Sequence, residues 1–144
     1  MDNYDGVGWT DWMLLKELDR AFIPDQPGVY MIAAHRRIHR AHGTDKQGIL
    51  DIGESDNLKK RMAAFRACSL GHRNRGHMAG WRFYNFNFDS IFPHEKLWIC
   101  WKTCRRKKEA YALEGELLQA YFSKHYELPP LNYKFNWASH AAHD

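Results

Sequence analysis

The chain has 144 residues, 44% apolar and 26% charged, which supports one domain with a hydrophobic core and excludes collagen-like, disordered and disulfide-scaffold classes. No run of 18 apolar residues is present, so no membrane partner is expected, and the acidic start MDNYDGVGWTDW lacks the apolar stretch of a secretory signal. Three cysteines leave at least one unpaired, which favours a reducing, cytoplasmic setting.

The net charge of +4 conceals a segregation. Residues 1–25 carry six acids against two bases, residues 36–108 carry 17 bases against six acids, and residues 109–144 carry five acids against two bases. The basic middle comes in bursts: Arg36, Arg37 and Arg40; Lys59, Lys60 and Arg61; Arg73 and Arg75; Arg105, Arg106, Lys107 and Lys108. Brought together by folding, these form a footprint for a polyanion such as nucleic acid.

In chain order, residues 10–22 are predicted as a short amphipathic helix. Thr10 or Asp11 is its N-cap, and Trp12, Leu14, Leu15, Leu18 and Phe22 form its apolar stripe. Pro24 and Pro27-Gly28 end it. Residues 29–34 read as a strand, 35–46 as a polar hairpin loop, and 48–53 (GILDIG) as a second strand antiparallel to the first. The cluster Glu54-Ser55-Asp56-Asn57 caps a helix with Leu58, Met62 and Phe65 on one face. Residues 69–80, with three glycines, read as a loop, and the aromatics of 81–92 read as an irregular strand or a stacking platform. Residues 97–103 are expected as the central strand and 105–126 as the longest helix, stopped by Pro129-Pro130. Residues 131–137 follow as an extended tail.

Two polar residues interrupt apolar faces. Glu114 projects from the face defined by Ala110, Leu113, Leu117, Leu118 and Tyr121, where a carboxylate is costly unless it is paired or binds a metal. Arg61 falls between Leu58 and Phe65, a half-buried setting that suits a bidentate contact with phosphate or carboxylate, Glu114 included. Cys100-x3-Cys104 and the His35, His39, His42 run are the only candidate zinc clusters. They read more simply as core cysteine and a basic loop tip.

These residues fall in a known order. Pro27 precedes Gly28-Val29-Tyr30. Asp51-Ile52-Gly53 is followed by Glu54-Ser55 and by Asn57-Leu58-Lys59-Lys60-Arg61. Ala112-Leu113-Glu114 and Pro130-Leu131-Asn132 complete the series. The chain resembles the GIY-YIG nuclease superfamily over residues 27 to about 133. The resemblance implies a small α/β domain (residues 26–137) with a three-stranded antiparallel sheet flanked by helices. The N-terminal acidic helix (1–25) and a tail (138–144) would be additions.

It also implies a DNA endonuclease using Mg²⁺ or Mn²⁺. Glu114 would hold the metal, Arg61 would bind the scissile phosphate, and Tyr30 would deprotonate or position the attacking water. Gly28, Gly53 and Asn132 would support the site. The chain departs from the pattern in having Asp51 where the second tyrosine stands and Phe65 where a His or Tyr is frequent. Asp51 can accept a water proton or add a carboxylate to the metal site, and His72 or His77 can substitute in space for the missing ring. The alternative is a catalytically impaired nucleic-acid-binding or interaction module of the same fold. Specificity in so short a chain would come from a homodimer or a partner protein.

Overall fold

The computed structural model describes residues 7–136. The first six residues, Trp137 and the expected tail 138–144 lie outside the described residues. Six strands form: β1 (Met13–Leu14), β2 (Gly28–Ala33), β3 (Ile38–His39), β4 (Thr44–Asp45), β5 (Ile49–Ser55) and β6 (Trp98–Thr103). Three α-helices accompany them: α1 (Leu58–Ser69), α2 (Met78–Asn85) and α3 (Lys107–His125). The main sheet is antiparallel in the order β1-β6-β2-β5, and β3 and β4 form a separate small ribbon.

β2 is buried along its whole length, because helices cover both faces of the sheet. Val29, Met31 and Ala33 pack with Ala110, Leu117, Leu118 and Tyr121 of α3. Tyr30 and Ile32 face the other way, into a core with Leu58, Met62 and Phe65 of α1 and Phe83 of α2. α1 and α2 start where the sequence supplies caps. The Asn57 side chain accepts from the Lys60 N–H at 3.0 Å, and the His77 ring accepts from the Gly80 N–H at 3.1 Å. Among the described residues no helix is long and apolar enough to cross a membrane.

Three expectations are corrected. The sheet has four strands rather than three, because Met13–Leu14 pairs with Ile99 and Trp98. Residues 10–22 accordingly form no α-helix: β1 is followed by two 3-10 turns, Leu15–Glu17 and Arg20–Phe22. Tertiary bonds outcompete the local helix there. The Leu15 N–H goes to the Leu97 carbonyl, the Arg66 guanidinium donates to the carbonyls of Leu15 and Leu18, and the Asp19 side chain takes the Ala21 N–H.

The aromatic stretch 81–92 is also not a strand. It holds most of α2 and a 3-10 turn at Phe88–Ser90. Ala79, Gly80 and Phe83 are its buried residues, at helical spacing, so the apparent alternation counted aromatics that face outward. The expected loop 69–80 correspondingly gives up its last three residues to α2.

β5 lies at the sheet edge, and the chain after α3 covers it. The Leu131 N–H donates to the Leu50 carbonyl. Asn132 then pairs both backbone groups of Ile52: Oδ1 accepts from its N–H at 3.0 Å and Nδ2 donates to its carbonyl at 2.9 Å. One side chain thus substitutes for a neighbouring strand and blocks the open edge. Asn132→Ala is expected to cost about 1–2 kcal/mol in urea unfolding and to speed amide exchange at Ile52; an unchanged exchange rate at Ile52 would contradict this role.

Candidate active site

The cross-strand pair Tyr30 and Gly53 organises the face of the sheet that meets α1 and α2. A Cβ on Gly53 would sit 2.2 Å from Tyr30 Oη, so only glycine admits the phenol ring there. The ring is 1% exposed. Its oxygen lies 2.6 Å from His77 Nε2, the N-cap residue of α2. Because His77 Nδ1 accepts from a backbone N–H, the neutral ring carries its proton on Nε2 and donates to Tyr30. Burial, with the charge of Arg61, pushes the His77 pKa well below its ordinary value and keeps the ring neutral. The Tyr30 oxygen therefore accepts, and its own proton is available to another group.

That group is Asp51. It pairs with Ile32 on the same sheet face, two residues from Gly53 along β5, and is 3% exposed. Desolvation raises its pKa to about 6, against the stabilising effect of the Tyr30 hydroxyl and the charges of Arg61 and Arg82. Burial, with the adjacent Asp51 charge, raises the Tyr30 pKa well above 10. The phenol thus stays protonated at neutral pH and is suited to positioning rather than to acting as a base.

Arg61 reaches the same place from α1. Its Nη1 donates to the Gly76 carbonyl at 2.8 Å, which ties down the loop leading into His77, while its Nε is buried without a partner. Glu114 approaches from α3 on the opposite sheet face. Desolvation raises its pKa to about 7; the Asn136 amide holds it down, and the charges of Glu54 and Asp51 push it up. Asn136 Nδ2 donates to Glu114 Oε1 at 3.1 Å and to the Tyr111 carbonyl at 2.7 Å. Gly115 makes this possible, since a Cβ there would stand 3.2 Å from the Asn136 carbonyl oxygen. Among the described residues no ion pair joins Arg61 to Glu114.

A cleft of about 710 Å³ is lined by Tyr30, Asp51, Gly53, Glu54, Arg61, His77, Glu114 and Asn132, together with Tyr111, Tyr133, Lys134 and Asn136. Among the described residues, four buried side-chain polar atoms lack a hydrogen-bond partner. Three belong to this cleft: Asp51 Oδ2, Glu54 Oε2 and Arg61 Nε; the fourth is Arg40 Nε. Two orphaned acceptors and an orphaned donor gathered at one opening offer both kinds of hydrogen-bonding group to a polar ligand. The carboxylate oxygens fit a hard divalent cation. Among the described residues no three His, Cys, Asp or Glu side chains form a metal cage, but Mg²⁺ keeps several waters and needs fewer protein ligands. Cys100 is fully buried in the core, and desolvation pushes its thiol up to about 12.

The remaining candidates are dispersed. Gly28 packs against the Lys102 carbonyl and Leu58 rather than lining the cleft. His72 does not line it. Arg40 is engaged by Glu127 at 2.8 Å and the Leu128 carbonyl at 2.7 Å. Lys59 pairs with Asp25, Arg106 with Glu109, and the Arg36 guanidinium sits over Phe92. Arg37, Lys60, Arg73 and Arg105 are on neither cleft wall. Arg75 lines a smaller groove that shares His77 and Met78 with the cleft, and the charge of Lys107 is felt at Glu54.

Sequence reasoning missed Asn136 and Glu54. The glycine following Glu114 in mid-helix was the available signal for a close approach by another segment.

For the metal-free protein, the raised carboxylates have a definite consequence. A carboxyl whose folded pKa exceeds its unfolded value stabilises below about pH 4, and that contribution disappears as pH rises through the folded value. For Asp51 the window runs from about 4 to about 6. Asp51→Asn is expected to gain on the wild type by about 1–1.5 kcal/mol between pH 5 and pH 8 in EDTA. Parallel denaturation midpoints across that range would show that Asp51 is not strained.

Comparison of the chain with profiles of known families, with curated proteins and with solved structures gives no match, so the reading of this cleft rests on its residues and their geometry.

Proposed function

We propose that the protein is a divalent-metal-dependent DNA endonuclease of the GIY-YIG type. One observation carries the reading: Tyr30, Asp51, Arg61 and Glu114, from two strands and two helices, line a single cleft with buried polar atoms still unpartnered. Residues placed only for packing would have found partners inside the fold.

Glu114 would hold Mg²⁺ or Mn²⁺; bound there, the cation supplies positive charge against the phosphate and the leaving oxygen. Arg61 offers its unpartnered Nε to a phosphate oxygen and offsets the charge that grows in the transition state. Asp51 Oδ2, also unpartnered, accepts the proton of the attacking water. A carboxylate with a pKa near 6 is better matched to neutral pH than an ordinary aspartate. Tyr30, its oxygen held by His77, aligns Asp51 and the water. The water oxygen bonds to phosphorus, the bond to the leaving sugar oxygen breaks, and that oxygen takes a proton from solvent. Arg75, Lys107 and Lys134 supply positive charge near the opening for the flanking strand, and a second copy or a partner protein would add site selection.

The test is nicking of supercoiled plasmid with Mg²⁺ or Mn²⁺. Glu114→Gln, Arg61→Ala and Asp51→Asn are each expected to lower the rate by about 10²–10³-fold, while Tyr133→Phe changes it little. Cleavage that survives Glu114→Gln would locate the activity elsewhere. Salt-sensitive DNA binding without cleavage would favour the binding-only alternative, which the departures at Asp51 and Phe65 keep in view.

A further inference from the structure

Resting on that reading, we infer that Glu54 is a second protein ligand of the divalent cation, which is then clamped between edge strand β5 and helix α3 by Glu54 and Glu114. Glu54 directly follows Gly53 and pairs with Val29, so it leaves the sheet on the face covered by α3. Asp51 and Gly53 leave on the other face. Glu54 and Glu114 both line the cleft.

Three facts fit Glu54 and Glu114 as ligands of a cation. Glu54 Oε2 is buried and accepts no hydrogen bond. No ion pair among the described residues involves Glu54 or Glu114. Independently, Asp51, only 3% exposed, adds a third carboxylate with an unpartnered oxygen to the same cleft. Arg61 and Lys107 offset part of the charge on Glu54, while Glu54 and Asp51 repel Glu114, a repulsion that a divalent ion between the carboxylates turns into attraction.

The donor chemistry selects the ion. Glu54 from β5 and Glu114 from α3 bring carboxylate oxygens to the one cleft. The one imidazole of the cleft, His77, already spends Nδ1 on the Gly80 N–H and Nε2 on Tyr30. A soft-ligand metal finds no thiolate or free imidazole. Two carboxylates with water and a substrate phosphate match what Mg²⁺ and Mn²⁺ take. Asp51 stays free of the ion on its own sheet face, available to the water.

The experiment is Mn²⁺ titration of the metal-free chain without DNA, followed by electron paramagnetic resonance and by the rise in melting temperature. Wild type is expected to show one saturable site. Glu54→Gln and Glu114→Gln should each weaken it at least tenfold, and the double variant should bind more weakly than either single one, because each removes one of two ligands of the same ion. Glu54→Gln removes the charge of a half-buried carboxylate, so its melting temperature in EDTA, equal to or above wild type, is the control for folding.

Unchanged Mn²⁺ affinity in Glu54→Gln overturns the inference. So does the absence of saturable binding to wild type. Neither result decides the nuclease reading, which stands if Glu114-dependent nicking persists. Conversely, Mn²⁺ binding that needs both glutamates, in a protein that never nicks DNA, keeps the metal site and rejects the nuclease.

Discussion

The phenol of Tyr30 lying against Gly53 is the constraint on which the site depends. A buried aromatic ring on a sheet face needs a flat place to rest, and the only neighbour that leaves one is a residue without Cβ. That pairing fixes the register of β5 on β2. With the register fixed, period-two alternation decides the faces from Asp51 to Ser55, beyond the irregularity opposite Ile32 and Ala33. Asp51 must fall on the same face as the phenol, and Glu54 must fall on the other. A slip of one residue would exchange their faces and drive Ile52 into the position of an acid.

The location of β5 at the sheet edge turns this alternation into a cleft. An interior strand would keep its two faces apart, with α1 and α2 on one side and α3 on the other. At the edge the faces meet around the open backbone, so Arg61 from one layer and Glu114 from the other reach one opening. Asn132 closes the backbone of Ile52, and Asn136, four residues on, fixes Glu114. The segment after α3 therefore protects the edge and orients the carboxylate with two amides. The arrangement opposes stability: burial raises the pKa values of Asp51 and Glu114, so the ionised forms are strained in the folded chain without a ligand. Strain at a functional opening is offset by the two packed cores on either side.

What could be read from the sequence follows from how local each signal is. The strand at residues 28–33, the strand at 98–103 and the long helix have apolar patterns that their own neighbours reinforce, and they form where expected. Glu114 and Arg61 stand out because a charge on an apolar face is a conflict visible within one helical turn. The N-terminal segment was misread because its leucines satisfy a helical stripe, whereas its hydrogen bonds are made to Leu97, Trp101 and Arg66, which are distant in sequence. Residues 81–92 were misread because aromatics are apolar by composition even where, as with Tyr84 and Phe86, they face solvent. Asn136 carried no local conflict at all; its role exists only where the tail crosses Gly115.

On the proposed GIY-YIG reading, Phe65 stands where that pattern has a ring able to hydrogen-bond, and His77 brings such a ring to Tyr30 from another helix. Phe65 is fully buried and meets the His77 ring edge-on, with centroids 5.0 Å apart. The apolar ring on α1 therefore serves as the wall against which an imidazole from α2 is held, and that imidazole reaches Tyr30. The exchange changes the chemistry as well as the address. A histidine that caps a helix with Nδ1 has its proton assigned to Nε2, so it can only donate to Tyr30. Tyr30 in turn cannot give its proton to His77 and must direct it toward Asp51. An aspartate where a second phenol would otherwise stand is then coherent with the imidazole's position. The chain of donors runs from His77 through Tyr30 and ends on Asp51, to which the proposed mechanism gives the proton of the attacking water.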